Sequence, residues 1–446
     1  MIEGETARLL DAASRLVETA RRLGADAADA AVSLSRSRSA QVRLREVEDI
    51  ESSESEHLSL RVFVDGRVAS VGAPATSDPQ ALVERALAMA RVSPKDPYAG
   101  LADPALLGGG EIDLDLFDAT DVASERLVSD ARALEDAARS VPGVTNSGGA
   151  SASAGFTGLV LVTSGGFSGA RRRSGFSRSV SVVAGEGARM QRDYDYDSRI
   201  HFDDLEAPAE IGRRAGERTV RRLDPGKVAT GTMPIVYDPR VSRSLVGHLL
   251  SAISGAAIAR GTSFLKDRLG QPVLPSSMSL VDDPLLRRRP ASRGFDGEGV
   301  RAAPLSLVDG GTLATWLLDS ATARELGLAT NGRASRSGAG TSPSSTNVVM
   351  TPGALSPDGL VAETGRGIYV TELIGHGADI VTGDYSRGAS GFLIEDGRLA
   401  GPVSEFTIAG SLPDMLRSMT AANDLDERHS IVAPTLRVEA MTVAGR

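Results

Sequence analysis

A chain of 446 residues exceeds the usual size of one hydrophobic core, so its length predicts two domains. The formal net charge of −9 opposes non-specific binding to nucleic acid, and no apolar run reaches the length of a membrane span. The absence of cysteine excludes disulfides, thiolate nucleophiles and thiolate metal ligands.

The first half of the chain alternates between helical and extended patterns. Residues 5–23 carry an amphipathic stripe that predicts a helix ending at Gly24. Residues 30–73 alternate with a period of two, and Asp65-Gly66 offers a hairpin turn, so this stretch predicts antiparallel sheet. The other elements predicted in this half are helices at 79–92, 121–140 and 206–222 and strands within 144–183.

Short extended segments dominate the second half. It opens with a strand predicted at 233–237 and a helix predicted from about 240 to 260. Hairpin turns are predicted at the Asp-Gly-Gly sequence of 309–311 and at the Asp-Gly sequence of 396–397. Two stretches are long enough to be functional loops rather than simple connections: 270–290 and 331–345.

The Asp-Pro-Gly sequence at 224–226 marks the predicted domain boundary. Residues 1–225 are the predicted α/β N-terminal region of helices packed on mixed or antiparallel sheet, and a subdivision would fall near 95–120, where Gly and Pro are frequent. Residues 226–446 are the predicted β-rich C-terminal domain. The fold class predicted for the whole chain is therefore α+β.

The histidines do not form a recognisable zinc motif. A zinc site on a helix requires two His on one face, usually four residues apart, with a carboxylate base nearby, and none of the five His forms such a pair. A three-His site assembled by the fold remains open. His248 lies in a predicted apolar helix, where a packing or interface histidine is the favoured interpretation and a catalytic residue the alternative.

Glu372 and His376 are a second candidate group. They are four residues apart, with Asp379 and Asp384 nearby, which suits an acid/base or metal cluster. Glycines flank His376, however, so the segment is predicted to be a loop or strand end, where a spacing of four does not place two side chains on one face. The favoured interpretation is a loop whose polar side chains are hydrogen-bonded and have no functional role.

A run of alternating acids and tyrosines occupies residues 193–197. In a strand, its three Asp side chains lie on one face and both Tyr on the other. Calcium binding is one interpretation, but Ser198 and Asp204 stand where an EF-hand loop requires Gly and a bidentate Glu. The favoured interpretation is a solvated strand face.

The stretch 365–391, which includes Gly-Ile-Tyr-Val-Thr-Glu-Leu-Ile-Gly-His-Gly-Ala-Asp, strongly resembles the TldD/PmbA family. The flanking segments 343–353 and 392–403 and the closing segment 434–445 are similar to the same family, and the resemblance extends back through the Arg-Asp-Tyr-Asp-Tyr sequence at 192–196. It implies an α/β N-terminal region joined to a β-rich C-terminal domain. It also implies subunits that pair around an internal chamber admitting extended or unfolded peptide.

The resemblance further implies that the helix at 240–255 corresponds to the helix that binds zinc in TldD-type members. In those members the helix corresponding to 240–255 carries His-Glu-x-x-x-His, and a cysteine near the C-terminus completes the zinc site. Gly247, His248 and Ala252 occupy the His, Glu and His positions here, and the chain has no cysteine. This degenerate motif resembles the TldE/PmbA branch, whose members associate with a TldD-type catalytic subunit.

The resemblance thus implies no catalytic, metal-binding or cofactor-binding residue in this chain, with zinc expected in the partner subunit. The leading hypothesis is a non-catalytic subunit of a TldD/TldE-type zinc metalloprotease complex that acts on unfolded or extended peptides, in proteolysis or peptide maturation. Glu372 and His376 are candidates to line its chamber. The expected partner is a TldD-type subunit in a heterodimer, with a homodimer when that subunit is missing.

Two alternatives remain. One is an independent enzyme whose site is relocated to His376 or His248. The other is a peptide-binding maturation factor in natural-product biosynthesis. In each case neither nucleic acid nor a membrane is an expected partner, and acids at Glu3 and Glu5, where a secretory signal would be basic, predict a cytoplasmic location.

Overall fold

The computed structural model describes residues 3–109, 112–338 and 340–445, and it confirms the predicted α+β class. No helix of these described segments is both long and apolar enough to span a bilayer. The helices are α1 (Glu3–Arg22), α2 (Pro79–Val92), α3 (Ser124–Arg139), α4 (Pro208–Arg221), α5 (Pro239–Ala252), α6 (Gly255–Ala259), α7 (Ser320–Glu325), α8 (Pro357–Thr364) and α9 (Leu412–Arg417).

A six-stranded antiparallel sheet forms the N-terminal part. Its strands are β1 (Ala27–Arg43), β2 (Glu46–Val64), β3 (Arg67–Pro74), β4 (Val144–Thr163), β5 (Ser168–Ala184) and β6 (Gln191–Arg199). They lie in the order β3-β2-β1-β4-β5-β6, so the prediction of antiparallel sheet is confirmed. Alternate residues of β1 are apolar and point to one face, where α1 and α2 cover one end of the sheet and α3 and α4 cover the other.

The opposite face of this sheet contacts the C-terminal part through buried ion pairs. Arg61 bonds Asp29 at 2.6 Å within the sheet and reaches Glu298 of the C-terminal part at 3.3 Å. Arg336 bonds the other oxygen of Asp29 at 2.8 Å, and Thr341 accepts a hydrogen bond from Arg61 at 2.7 Å. Buried charges therefore join the two parts of the chain. Such charges are costly to remove from water, so the contact is stable only when each of them is paired and hydrogen-bonded.

The C-terminal part contains a mixed sheet that closes on itself. Its strands are β7 (Gly231–Tyr237), β14 (Gly367–Ile374), β15 (Asp384–Glu395), β16 (Arg398–Ser411), β17 (Met419–Ala421) and β19 (Leu436–Ala444). The order is β16-β15-β14-β7-β19-β17, and β16 also pairs with β19, which closes a ring. Closure leaves no free edge among the ring strands.

A second, smaller sheet and a hairpin complete this part. The sheet contains β8 (Leu280–Asp282), β9 (Leu305–Asp309), β10 (Thr312–Leu313), β13 (Val348–Met350) and β18 (Ile431–Val432), and the hairpin contains β11 (Ala334–Ser337) and β12 (Gly340–Pro343). The smaller sheet has the order β10-β9-β8-β13-β18. Both predicted Asp-Gly turns connect neighbouring strands, β9 to β10 and β15 to β16. The division of the chain after residue 225 stays a prediction.

The single helix predicted over 240–260 is wrong, because the structure breaks it after Ala252 and starts α6 at Gly255. The amide of Gly255 donates to the carbonyl of Leu317 at 2.8 Å, and a Cβ atom on Gly255 would lie 2.8 Å from the same oxygen. This close backbone approach requires glycine and turns the chain away from the axis of α5.

Candidate functional site: an arginine-lined cleft beside helix α5

Helix α5 is fixed at its start and along one side. The Asp238 carboxylate caps it by accepting the amide of Arg240 at 2.9 Å, and Pro239 occupies the first turn. Leu245 and Leu249 are each 1% exposed and pack in the largest hydrophobic core. The orientation of α5 is therefore fixed, and so is the direction of the side chains on the face that does not pack in the core.

The three positions of the degenerate motif lie near the C-terminal end of α5. Gly247 and His248 are half-buried and Ala252 is buried, and only His248 carries an atom that could bind a metal ion. Its ring packs edge-on against Tyr385 with 6.0 Å between centroids, and its Nε2 is buried without a hydrogen-bond partner among the described residues. Burial and, secondly, the charge of Arg387 lower the pKa of His248.

These residues do not fit a zinc ion. Zinc sites in proteins use three or four N, O or S ligands, whereas this helix face offers one imidazole. The Arg387 charge that disfavours protonation of His248 also disfavours a bound cation. Within the ranges that the structure describes, no group of three or more His, Asp or Glu side chains could hold a metal ion.

The lowered pKa of His248 can be measured directly. We expect its imidazole to titrate below the usual value of about 6.5, and Arg387→Gln to raise that pKa without restoring it fully, because burial remains. The unfolded chain takes up the proton first, so the contribution of His248 to folding stability is present above about pH 6.5 and is lost as the pH falls toward the lower folded pKa. NMR titration of the imidazole C–H signals checks this, and equal titration curves for the two proteins would show that Arg387 does not act on His248.

A cleft runs between the N-terminal sheet and the first turns of α5. It consists of two cavities of about 330 and 130 Å³ that share the side chains of Asp193, Arg222, Arg240 and Thr371. Strand β6 and the end of α4 form one wall, and α5, β14 and β15 form the other. Ser244 lines the larger cavity and stands one helical turn before His248, so the cleft lies along the face of α5 that carries the degenerate motif.

Arginines outnumber carboxylates in this cleft. Asp193 is 5% exposed and bonds Arg240 at 2.9 Å and Arg222 at 3.4 Å, and Arg222 also pairs with Glu372. Burial opposes ionisation of Asp193, but Arg240, the backbone amide of Tyr194 and Arg222 together outweigh that effect and hold the pKa of the carboxyl below its usual value. Arg192 also lines the larger cavity, so its wall carries an excess of positive charge.

The solvated-face interpretation of residues 193–197 is wrong. Asp195 and Asp197 are 5% and 1% exposed, like Asp193, whereas Tyr194 is 48% exposed. Each carboxylate is paired with two arginines: Asp193 with Arg222 and Arg240, Asp195 with Arg214 and Arg218, and Asp197 with Arg199 and Arg428. Because arginines already neutralise the three acids, the calcium interpretation does not apply either.

Glu372 and His376 are not part of a metal cluster among the described residues. Glu372 lies in β14 and lines the larger cavity. His376 is exposed in the connection between β14 and β15. The residues that sequence reasoning missed are the cleft arginines Arg192, Arg222, Arg240 and Arg387, which come from separate stretches of the sequence and meet only in the fold.

Three domain models of the PmbA/TldA metallopeptidase family match the chain: domain 1 over residues 28–90, the central domain over 117–223 and the C-terminal domain over 230–445. The metalloprotease PmbA of Escherichia coli is 36% identical over 450 residues, which cover 100% of this chain and 98% of that protein. A solved structure described as a modulator of DNA gyrase from Bacteroides thetaiotaomicron is 30% identical, with a TM-score of 0.91 and 100% of both chains covered. TldE from Thermococcus kodakarensis shares the fold at a TM-score of 0.85 and 21% identity, over 97% of this chain and 100% of that one.

The matching domain models extend over both parts of the fold, and the family that they describe is a family of metallopeptidases. The chain belongs to the PmbA/TldD family, which confirms the resemblance found in its sequence.

Proposed function

We propose that this chain is a non-catalytic, TldE/PmbA-like subunit of a zinc metalloprotease complex that acts on unfolded or extended peptides. The observation that carries the proposal is the helix α5, where the motif positions hold Gly247, His248 and Ala252 and the adjoining cleft is lined by arginines. A helix with one imidazole beside positive charge is unsuited to hold the ion that would activate water.

The hydrolytic chemistry in this proposal belongs to a TldD-type partner that carries the zinc. This chain would contribute a wall of the chamber, with Glu372 in the cleft and His376 at its exposed neighbouring loop. A heterodimer is the proposed active form, and a homodimer is the proposed form of the chain when its partner is missing. The metalloprotease relatives support peptide hydrolysis as the reaction of the complex. The degenerate motif on α5 supports the assignment of that reaction to the partner subunit.

Metal content and peptide hydrolysis test this proposal together. We expect the purified chain to contain far less than one zinc per protomer and to leave an unfolded peptide intact. With a TldD-type partner, zinc and hydrolysis should both appear, and a partner whose zinc ligands are replaced should form the complex without hydrolysing the peptide. The zinc is measured by atomic spectroscopy and the cleavage by mass spectrometry.

Two results would contradict the proposal. One zinc per protomer in the chain alone, with turnover, would favour an independent enzyme, and loss of that turnover in His248→Gln or His376→Gln would locate its site. Tight peptide binding by the chain, with no hydrolysis after any TldD-type partner is added, would favour a peptide-binding maturation factor.

A further inference from the structure

The larger cavity beside α5 has the size and lining of a ligand site. Its volume of about 330 Å³ lies at the lower end of the range for small-molecule pockets, enough for one end of a chain but not for a folded partner. Its walls come from both parts of the protein, β6 and α4 on one side and α5, β14 and β15 on the other. Sites between domains are a preferred location for ligands.

Two arginines of the cavity have no carboxylate partner among the residues that the structure describes. Arg222 pairs with Asp193 and Glu372, and Arg240 pairs with Asp193. Among the described residues, these two acids are the only carboxylates that line the cavity. Arg192 and Arg387 also line the cavity, and neither has a carboxylate within ion-pair distance anywhere in the described part of the chain. The guanidinium of Arg387 is held by donating to the carbonyl of Ile374 at 3.3 Å.

Neutral polar groups complete the lining. The Thr371 hydroxyl is buried, and among the described residues it has no hydrogen-bond partner, although it borders both cavities. Tyr194 and Ser181 add two further hydroxyls. A buried hydroxyl without a partner is costly, so a ligand oxygen that accepts a hydrogen bond from it would stabilise this wall.

Together these groups specify the charge and shape of the ligand. Guanidinium groups recognise planar oxyanions through paired hydrogen bonds, whereas the excess of arginines would repel a cation. We propose that this cavity binds a carboxylate of an extended peptide, with Arg192 and Arg387 neutralising it and the Thr371 hydroxyl donating to one of its oxygens. The peptide as the source of the carboxylate rests on the proposed function, whereas recognition of an oxyanion rests on the cavity alone.

The terminal carboxylate of the peptide is the group that best matches one small, positively charged cavity. An end group can enter while the rest of the chain extends along the cleft toward Ser244 and His248, on the same face of α5. This subunit would then hold one end of a substrate whose scissile bond lies in the partner. Inorganic phosphate shares the oxyanion chemistry and is the competing source of the ligand.

Fluorescence anisotropy of the full chain without any partner tests this binding. The probe is a short Ala/Ser peptide with a fluorophore at its N-terminus, made either with a free C-terminal carboxylate or with a C-terminal amide. We expect the carboxylate form to bind about tenfold more tightly, because a hydrogen-bonded charge is worth roughly one factor of ten. Arg387→Gln and Arg192→Gln should each remove most of that preference.

The variants separate binding from folding. Arg192 is exposed, so its replacement leaves the core intact, and Arg15→Gln on α1 is a matched control that removes one exposed arginine far from the cleft. Arg15→Gln should keep the full preference. Thr371→Val should weaken binding of the carboxylate form while circular dichroism stays unchanged.

Each remaining outcome overturns the inference. Equal binding of the carboxylate and amide peptides would exclude recognition of the end group, and an unchanged preference in both cleft variants would place the recognition elsewhere. Calorimetric binding of inorganic phosphate alone, abolished by Arg387→Gln, with no difference between the two peptides, would assign the cavity to a free anion. None of these binding results depends on zinc or on cleavage, so they can fail independently of the proposed function.

Discussion

Replacing Arg333 by Met is expected to destabilise the protein by about 3–5 kcal/mol. Arg333 and Asp282 are both 0% exposed, and the guanidinium Nε bonds the Asp282 carboxylate at 2.7 Å. Its other nitrogens donate to the backbone carbonyls of Ala303 at 2.8 Å and Asn331 at 2.9 Å. Removal of this one side chain leaves the buried Asp282 carboxylate without its positive partner, although Thr346 still donates to it, and takes one donor from each of the two carbonyls.

Chemical denaturation of Arg333→Met measures the predicted loss. Arg268→Met is the matched control, because Arg268 is exposed and, among the described residues, its side chain bonds only Gln271, at 2.8 Å. The control should change the free energy of unfolding by no more than about 0.5 kcal/mol. Equal losses in the two variants would show that the Arg333 contacts contribute nothing beyond an ordinary surface arginine.

Arg333 also lies in the stretch predicted as a long functional loop at 331–345, whose described residues contact both parts of the protein. Part of that stretch forms the β11–β12 hairpin, and Arg336 from β11 reaches Asp29 in the N-terminal sheet. The Arg333 side chain connects the start of the same stretch to β8 through Asp282. The loop therefore joins the two parts of the protein, which its length alone did not indicate.

Local signals predicted most of the individual elements. The helix predicted at 79–92 matches α2, since Asp78 caps it and Pro79 starts it, and both signals are contained in a few adjacent residues. The hairpin at Asp65-Gly66 is equally local, because both residues adopt the positive φ that the turn requires. These predictions depended on no distant contact.

The parts that could not be predicted depend on contacts between distant segments. Closure of the C-terminal ring requires β16 to pair with β19, and no local pattern specifies that pairing. The break of the predicted helix at 240–260 depends in the same way on the carbonyl of Leu317, more than sixty residues beyond Gly255.

The burial of the acids at 193–197 was predictable in part. Arg214 and Arg218 are four residues apart in a predicted helix, so their side chains share one face, and three alternating acids share one face of the strand. Matching the basic helix face to the acidic strand face would have predicted paired charges instead of a solvated surface. The partnership of Asp193 with Arg240, across the two parts of the chain, needed the structure.

The second large effect is expected at the contact between the two parts of the chain, where Asp29→Ala should cost about 3–5 kcal/mol. Asp29 is 0% exposed and accepts from Arg61 at 2.6 Å and from Arg336 at 2.8 Å. Its removal leaves Arg61 with Glu298 as its one carboxylate partner among the described residues, and leaves Arg336 with the carbonyl of Gly297 but no carboxylate there. Asp29→Asn, which keeps the volume and one acceptor oxygen, should cost less. Denaturant titration measures both losses.

Acid adds an independent test of the same contact. Burial disfavours the Asp29 carboxylate, but Arg61 and Arg336 outweigh burial and hold its pKa below the usual value. The stabilisation is therefore complete above about pH 3.9 and is lost as the pH falls through the lower folded pKa. Asp29→Asn should remove this part of the acid dependence, whereas Asp11→Ala at an exposed surface pair should leave it unchanged. Identical acid profiles for wild type and Asp29→Asn would mean that the buried ion pairs do not hold the two parts together.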